Sequence, residues 1–520
     1  MTAPEIYDDF PMSWVGDWAG RRAMITPNAP ALHDVATGAR YTFAEVNVRA
    51  QRVGAWLVDG LGLGKGDVVS FIARNRVELI DLYLACGKVG VILAPLSYRL
   101  KKRELDDLLG RIKPQAFIYE ARFAELVGSL ALPETVRRSV CMDGDDALYE
   151  REVLATAPRA VNVPLRMRDT FLYIHTGGTT AVPKICVVPH RQMIWNSFDI
   201  MATGYGGARA KTELLTFPFF HVGGWNTFTP VFHCGNETVL LREFDPGEVL
   251  ELIDAGRVEH FGAVEAMLRM IMAHPRFAAT DFSGVTGIST AGAPCAEEVM
   301  QTFVGLGVPV AQSYGLTEGG PSNFAFMGRT GELEEYLEHA ASIGTPMFHT
   351  DHKIVDRDTR EEVPRGEVGV LCLRSAHTFG GYLGDPERTA KLIDAEGWVF
   401  TGDLAMESDE GLVQIMGRAD NMFISGGENV SPEEVENVVM AHEAVEEALC
   451  AGIPDERWGQ VPAVLVVARA GQALDFGALK AFCKEHLAGY KVPRRFQQVE
   501  ALPLTGAGKV NRNAVAGLLE

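Results

Sequence analysis

The chain has 520 residues, 47% of them hydrophobic, enough to build several buried cores. At roughly 100–200 residues per domain, this length predicts two to four domains or subdomains. Acidic residues outnumber basic ones, 68 to 48, and the formal charge of −20 creates a field that repels nucleic acid and anionic lipid. A site for a phosphorylated ligand must therefore gather its cations locally.

The N-terminal stretch MTAPEIYDDFPMSW has no basic segment followed by an apolar run, so no secretory leader is predicted. Eight cysteines, at 86, 141, 186, 234, 295, 372, 450 and 483, include no C-x-x-C pair. They read as reduced thiols of a cytoplasmic protein, not as a disulfide framework or a zinc site. The run 67–75 (DVVSFIARN) is β-branched and aromatic, 76–90 has helical spacing, and 91–96 (VILAPL) is again strand-like. This order predicts a parallel sheet covered by helices. The apolar segment Leu82–Leu96 is interrupted by Gly87, Lys88, Gly90 and Pro95. It is too short and too broken to span a bilayer, so stable membrane insertion is not expected.

Residues 173–184, YIHTGGTTAVPK, follow a predicted strand at Phe171–His175. Glycines there expose backbone N–H groups to an anion, threonine hydroxyls add donors, and Lys184 supplies a mobile charge. The stretch does not match the P-loop pattern, because Pro183 precedes Lys184 and Ile185 follows it. Read alone, it is equally a glycine-rich turn. Further strands are predicted at 212–220, 308–315 and 462–468. HTDH, 349–352, is read as the entrance to a strand rather than a metal pair, since Lys353-Ile354-Val355 follows. Residues 396–418 read as a β-rich meander. A boundary is expected near 417–436, where Ser431 is placed to cap a helix, Pro432 suits its first position and Glu434 can close a capping box. The remaining stretch of about 100 residues suits one small α+β domain.

Further short stretches occur in order: TAGAP (290–294), QSYGLTEGG (312–320), SIGTP (342–346), WVFTGDL (398–404), GRADNMFISGGENVSPEEVE (417–436) and PLTGAGKVNR (503–512). With the Thr/Gly loop, they resemble the adenylate-forming superfamily, in its acyl- and aryl-CoA synthetase branch. The resemblance covers nearly the whole chain. It implies an α/β fold with a large N-terminal domain of parallel-rich sheets covered by helices, plus a β-barrel-like subdomain. A small mobile α+β C-terminal domain completes it. The implied boundaries are 1–419 for the AMP-binding domain and 420–520 for the mobile domain, with Asp420 as hinge.

The reaction implied is attack of a carboxylate on the α-phosphate of ATP, followed by transfer of the acyl group to coenzyme A. Thr176, Gly177, Gly178, Thr179, Thr180 and Lys184 are then expected around the leaving phosphates, with Glu318 and Thr179 on Mg2+. Gly292, Ala293 and Pro294 are expected to flank adenine, with Tyr314 against its face and Ser313, Gly315 and Thr317 alongside. Asp403 and Arg418 are expected at the ribose, and Lys509 between the carboxylate and the α-phosphate. Ser425, Gly426, Gly427 and Glu428 are expected to line the coenzyme A tunnel, and Lys491, Arg494 and Arg495 form a basic cluster.

The acid is expected to bind among His221, Val222, Gly223, Trp225, Val264 and Glu265, with His221 as gate and Trp225 shortening the pocket. Two alternatives to the gate and pocket roles are a capping role for His221 and a first-helical-turn role for Glu265. The loop departs from the commonest family form at Gly177, Ala181 and Ile185, and Asn421 stands where aspartate is usual. The predicted function is an AMP-forming carboxylate–CoA ligase with ATP, Mg2+ and coenzyme A as cofactors and a small carboxylic acid as partner. A homodimer is left open. The competing readings are an adenylation enzyme that loads a separate carrier protein, and a non-catalytic nucleotide-binding homologue.

Overall fold

The buried β-branched runs of the sequence become the central strands of two large sheets. In the computed structural model, the residues described are 10–144, 147–176, 183–292, 295–419, 421–425, 428–455, 457–504, 510–512 and 514–519. The chain divides into two compact units. The larger comprises Met1–His352 and Leu373–Val399, the smaller Lys353–Cys372 and Phe400–Glu520.

The larger unit contains a six-stranded sheet. Its order is Arg138–Cys141, Ala116–Tyr119, Val68–Ile72, Ile92–Pro95, Thr170–Thr176, Lys184–Pro189. The first five strands run parallel, and the last is antiparallel to its neighbour. The expected helix is Val77–Val89, ended by Gly90 in the left-handed region (φ 73°). A nine-stranded sheet has at its centre the parallel strands Thr212–Leu215, His260–Ala263, Gly287–Thr290 and Val310–Leu316. The strand Gly320–Ala325 then returns antiparallel beside Val310–Leu316.

Aromatic packing fills the space behind these sheets. Tyr83 lies 4.3 Å from Trp225 and 4.6 Å from Phe171, and Trp18 packs edge-on against both Tyr83 and Phe171. Truncating one such ring to alanine costs about 3–5 kcal/mol through lost transfer energy and the cavity left behind.

HTDH leads into the strand Thr350–Val355, as expected. His349 binds Asp199, on the helix His190–Thr203, through its backbone N–H at 2.9 Å and its ring. Among the described residues, no group of three or more His, Cys, Asp or Glu side chains is placed to hold a metal, and no helix is long and apolar enough to cross a membrane.

In the smaller unit, Val399–Glu407 and Val413–Arg418 pair antiparallel, forming the predicted meander. The strands Val445–Asp455 and Gly459–Ala468 make a second antiparallel pair, covered by the helices Pro432–Met440 and Phe476–His486. One local expectation is corrected. Ser431 precedes its helix and Pro432 opens it, but the Ser431 hydroxyl makes no cap. It donates to Met416 O at 3.2 Å and to Glu433 Oε2 at 3.0 Å. Glu434 is likewise drawn away, accepting from Lys491 Nζ at 2.7 Å.

Candidate active site

The strand pairing sets the site's first element. Thr170–Thr176 and Lys184–Pro189 form an antiparallel pair whose last register match is Thr176 with Lys184. The two residues thus bracket 177–182 from opposite strands. Gly177, Gly178, Thr179 and Thr180 themselves lie outside the described residues, as do Ala293, Pro294, Asp420, Gly426, Gly427 and Lys509.

The second element is the turn between Val310–Leu316 and Gly320–Ala325, which carries Thr317 and Glu318. Gly315 is required there by close approach, since a Cβ would lie 2.1 Å from Pro321 O. Thr317 is fixed through its carbonyl, which accepts from Gln192 Nε2 at 2.6 Å. Ser313 is buried and its hydroxyl takes the Tyr205 O–H at 2.5 Å, while Tyr314 packs edge-on to Phe324 at 6.2 Å.

Residues 379–383 tie these two elements together. They run beside the strand of Lys184, with Gly380 N–H donating to Val187 O (2.7 Å), Val187 N–H to Gly381 O (2.9 Å) and Leu383 N–H to Ile185 O (2.9 Å). Phe379 N–H donates to Glu318 O at 3.0 Å. From this segment the Tyr382 hydroxyl donates to Glu318 Oε1 at 2.7 Å, and its ring lies 5.3 Å from Lys184 Nζ. Burial, then the neighbouring Glu318 carboxylate, raises the Tyr382 phenol above its ordinary range, so it stays a donor. Burial also drives the Cys186 thiol well up, which keeps it unreactive beside Thr176 and Glu318. The row Glu318–Tyr382–Lys184 places a hard carboxylate at the hydroxyl of one phenol and an ammonium over its ring. Tyr382 was not singled out in the sequence. Its only signal is the doubled glycine of FGGYLG, needed for close approach to Val187 and for φ +105° at Gly381.

The candidate acid pocket lies on elements of the same unit. His221 precedes the helix Val222–Cys234 without capping it through its side chain, and lies 4.6 Å from the Phe220 ring. Phe217 links the two expected stretches: a Cβ at Gly223 would stand 3.8 Å from it, and one at Gly262 would stand 2.7 Å from it. A Cβ at Gly292 would stand 3.8 Å from Val264. Trp225 is fully buried between Tyr83 and Phe219, the latter ring at 4.1 Å. Its Nε1 has no partner among the described residues. Glu265 opens the helix Glu265–Ala273 and is bound to Arg269 at 2.7 Å, as its first-turn alternative requires.

In the smaller unit, Asp403 and Arg418 face each other across the meander and pair at 2.8 Å. Arg418 Nη1 also donates to Thr401 O at 3.3 Å. Ser425 is buried and pairs in register with Glu428. In the basic cluster, Lys491 is already bound to Glu434, and Arg495 begins a strand parallel to Gly459–Ala468.

The AMP-binding enzyme family matches residues 20–383, and the AMP-binding enzyme C-terminal domain matches 434–509. The chain is 31% identical over 505 residues to the feruloyl-CoA synthase of an Amycolatopsis species, covering 96% of this chain and 98% of that protein. It is also 31% identical over 504 residues to a long-chain-fatty-acid–CoA ligase of Mycobacterium tuberculosis, covering 96% and 97% of the two. Among solved structures it resembles the o-succinylbenzoate CoA synthetase of Bacillus subtilis in complex with its acyl-adenylate intermediate. That likeness has a TM-score of 0.83 at 26% identity, over 96% of this chain and 97% of that one. The chain belongs to the AMP-binding enzymes of the adenylate-forming superfamily, among relatives named as acyl- and aryl-CoA synthetases.

Proposed function

We propose that this protein joins a carboxylic acid to the AMP moiety of ATP and then passes the acyl group to the thiol of coenzyme A. The observation that carries the reading is the row Glu318–Tyr382–Lys184, set at the strand ends that bracket 177–182. ATP supplies the adenylyl group and coenzyme A the thiol. The carboxylate oxygen bonds to the α-phosphorus as the bond to the β-phosphate oxygen breaks and pyrophosphate leaves. The thiol then bonds to the acyl carbon as AMP leaves.

Thr176, Gly178, Thr179, Thr180 and Lys184 surround the departing phosphates in this reading. The hard oxygens of Glu318, with the Thr179 hydroxyl, suit Mg2+. Tyr382 occupies Glu318 Oε1 and so orients the carboxylate. The Mg2+ ion, when bound, neutralises phosphate charge. Gly292 to Pro294, with Tyr314, hold adenine, and Asp403 and Arg418 hold the ribose. Lys509 stabilises charge that develops in the transition state, the kind of contact whose loss costs on the order of 10²–10³-fold in rate. Rotation about Asp420, between domains 1–419 and 420–520, exchanges Lys509 for the 425–428 loop before thioester formation.

The substrate class is a medium-sized acyl or aryl acid. Trp225, buried between Tyr83 and Phe219, acts as the back wall of the pocket. An acid panel spanning short, medium, long and aromatic carboxylates, scored for coenzyme A-dependent AMP release, tests the reading. Release with at least one such acid is expected. AMP formation that depends on a carrier protein and ignores free coenzyme A contradicts it.

A further inference from the structure

Residues 505–509, Lys509 among them, lie outside the described residues, but the chain is held at 503–504 and again at 510–512. Leu504 and Val510 form an antiparallel bridge, and Asn511 N–H donates to Pro503 O at 2.7 Å. Two residues past that bridge, the Arg512 guanidinium donates to both oxygens of Glu436, one of them at 3.1 Å. It also donates to Glu433 Oε1 at 3.1 Å and to Cys450 O. Glu433 and Glu436 stand three positions apart on the helix Pro432–Met440, and so on one face. Glu436 is buried and accepts the Cys450 N–H at 2.6 Å as well.

Besides accepting from Ser431, Glu433 has two further duties. Its Oε1 accepts from Asn421 Nδ2 at 2.7 Å. Its Oε2 faces Gly417, whose φ of +134° and closeness to that oxygen leave no room for a side chain: a Cβ would lie 2.7 Å away. One acidic turn thus holds Gly417 (before Arg418), Asn421 (after Asp420) and Arg512 (after Lys509). The departure at 421 has a physical reason here. An aspartate would set a second carboxylate against Glu433, whereas asparagine donates to it. A desolvated ion cluster of this kind adds little net stability, because the loss of hydration offsets the attraction. What it provides is a fixed geometry.

We propose that Arg512, gripped by Glu433 and Glu436, is the positioning residue that presents Lys509 for adenylation, and that Asn421 ties the same grip to the hinge. The proposal rests on the adenylation reading above. The test compares wild type, Arg512→Ala and Arg512→Lys in three assays: acid-dependent ATP–pyrophosphate exchange, thioester formation from synthetic acyl-adenylate and coenzyme A, and tryptic cleavage after Lys509. Arg512→Ala is expected to lose on the order of 10²-fold in exchange, the scale of a small misplacement of a catalytic group. Its thioester formation should stay within about threefold of wild type, since Lys509 serves only the first step. Cleavage after Lys509 should rise on the order of tenfold, because without its grip the chain at 510–512 opens more often. Arg512→Lys, which keeps the charge but not the fork, should fall between, and it carries the test if Arg512→Ala does not fold. Equal loss of both half-reactions, or unchanged exchange and cleavage, overturns the proposal. A wild type inactive with every acid, whose variant is nevertheless cleaved faster, contradicts the functional reading and leaves the grip on the loop standing.

Discussion

The two compact units hold their candidate site residues by different means. In the larger, Thr176, Lys184 and Glu318 sit at strand ends or in a hairpin turn, and backbone hydrogen bonds from 379–383 fix their spacing. In the smaller, the segments next to Asp420 and Lys509 are fixed by side-chain charges on one helical turn. Backbone registration survives most single substitutions, whereas an ion cluster fails when one member is removed. The larger unit therefore acts as a stable frame, and the smaller as a part whose geometry depends on a few side chains.

The strongest challenge to this contrast is at Glu318. Glu318→Ala should leave the frame folded, with an unfolding midpoint close to wild type, while ATP–pyrophosphate exchange falls on the order of 10²–10³-fold. A large fall in the midpoint would mean that the turn depends on its side chain.

The units should also answer pH with opposite signs. Burial lowers His175 and His233 from 6.5 to about 4 and His190 to about 3, and it lowers His377 too, all in the larger unit. Between pH 6.5 and 4 the unfolded chain binds protons that the folded histidines refuse, so stability falls as pH falls, by on the order of 3 kcal/mol for a histidine shifted to about 4. The Asp81 and Glu248 carboxyls, both raised chiefly by burial, oppose this. In the smaller unit burial pushes Glu436 up to about 7, outweighing its Arg512 partner. There the folded state binds more protons between about 4.5 and 7, so this group's contribution to stability grows as pH falls through that window. Hydrogen-exchange mass spectrometry at pH 7 and pH 5, corrected for intrinsic rates, should show lost protection in the larger unit and retained or increased protection around 433–450. Parallel loss in both units contradicts the assignment.

A finer probe is Tyr382. Tyr382→Phe keeps the ring beside Lys184 but frees Glu318 Oε1. Exchange should fall about tenfold, the scale of one hydrogen bond to a charged group, with a raised Mg2+ requirement. Tyr382→Ala should cost more, since the ring contact with Lys184 goes as well. Equal effects would place the whole role in the hydroxyl, and a Tyr382→Phe variant as active as wild type would place it in packing. The smallest expected effect is that of Asn421→Asp, which should destabilise the smaller unit by about 1 kcal/mol, read as a lower denaturation midpoint that high salt partly restores.

Sequence reading found what local pattern encodes. Strands at 68–72, 92–95 and 310–316, the helix after residue 76 and the strand that leads into the Thr/Gly loop all follow from runs of β-branched residues or helical spacing. It missed what depends on distant chain segments meeting. Glu318 and Tyr382 are separated by 64 positions and Glu433 and Arg512 by 79, and neither pair leaves a local signature. Ser431 shows the same limit from the other side. Its capping signal was sound locally, but Met416 O and Glu433 offered the hydroxyl better partners. Trp225 read as a pocket residue from its place in the motif, but the stacking on Phe219 and Tyr83 that fixes its ring brings in, with Tyr83, a residue too distant in sequence to be read there.

The most direct measurement is isotope exchange between labelled pyrophosphate and ATP, with and without a panel of carboxylic acids and with coenzyme A omitted. The account predicts exchange that requires an acid and Mg2+, and its loss in both Glu318→Ala and Lys509→Ala. Exchange that proceeds without any acid, or survives both substitutions, would contradict it.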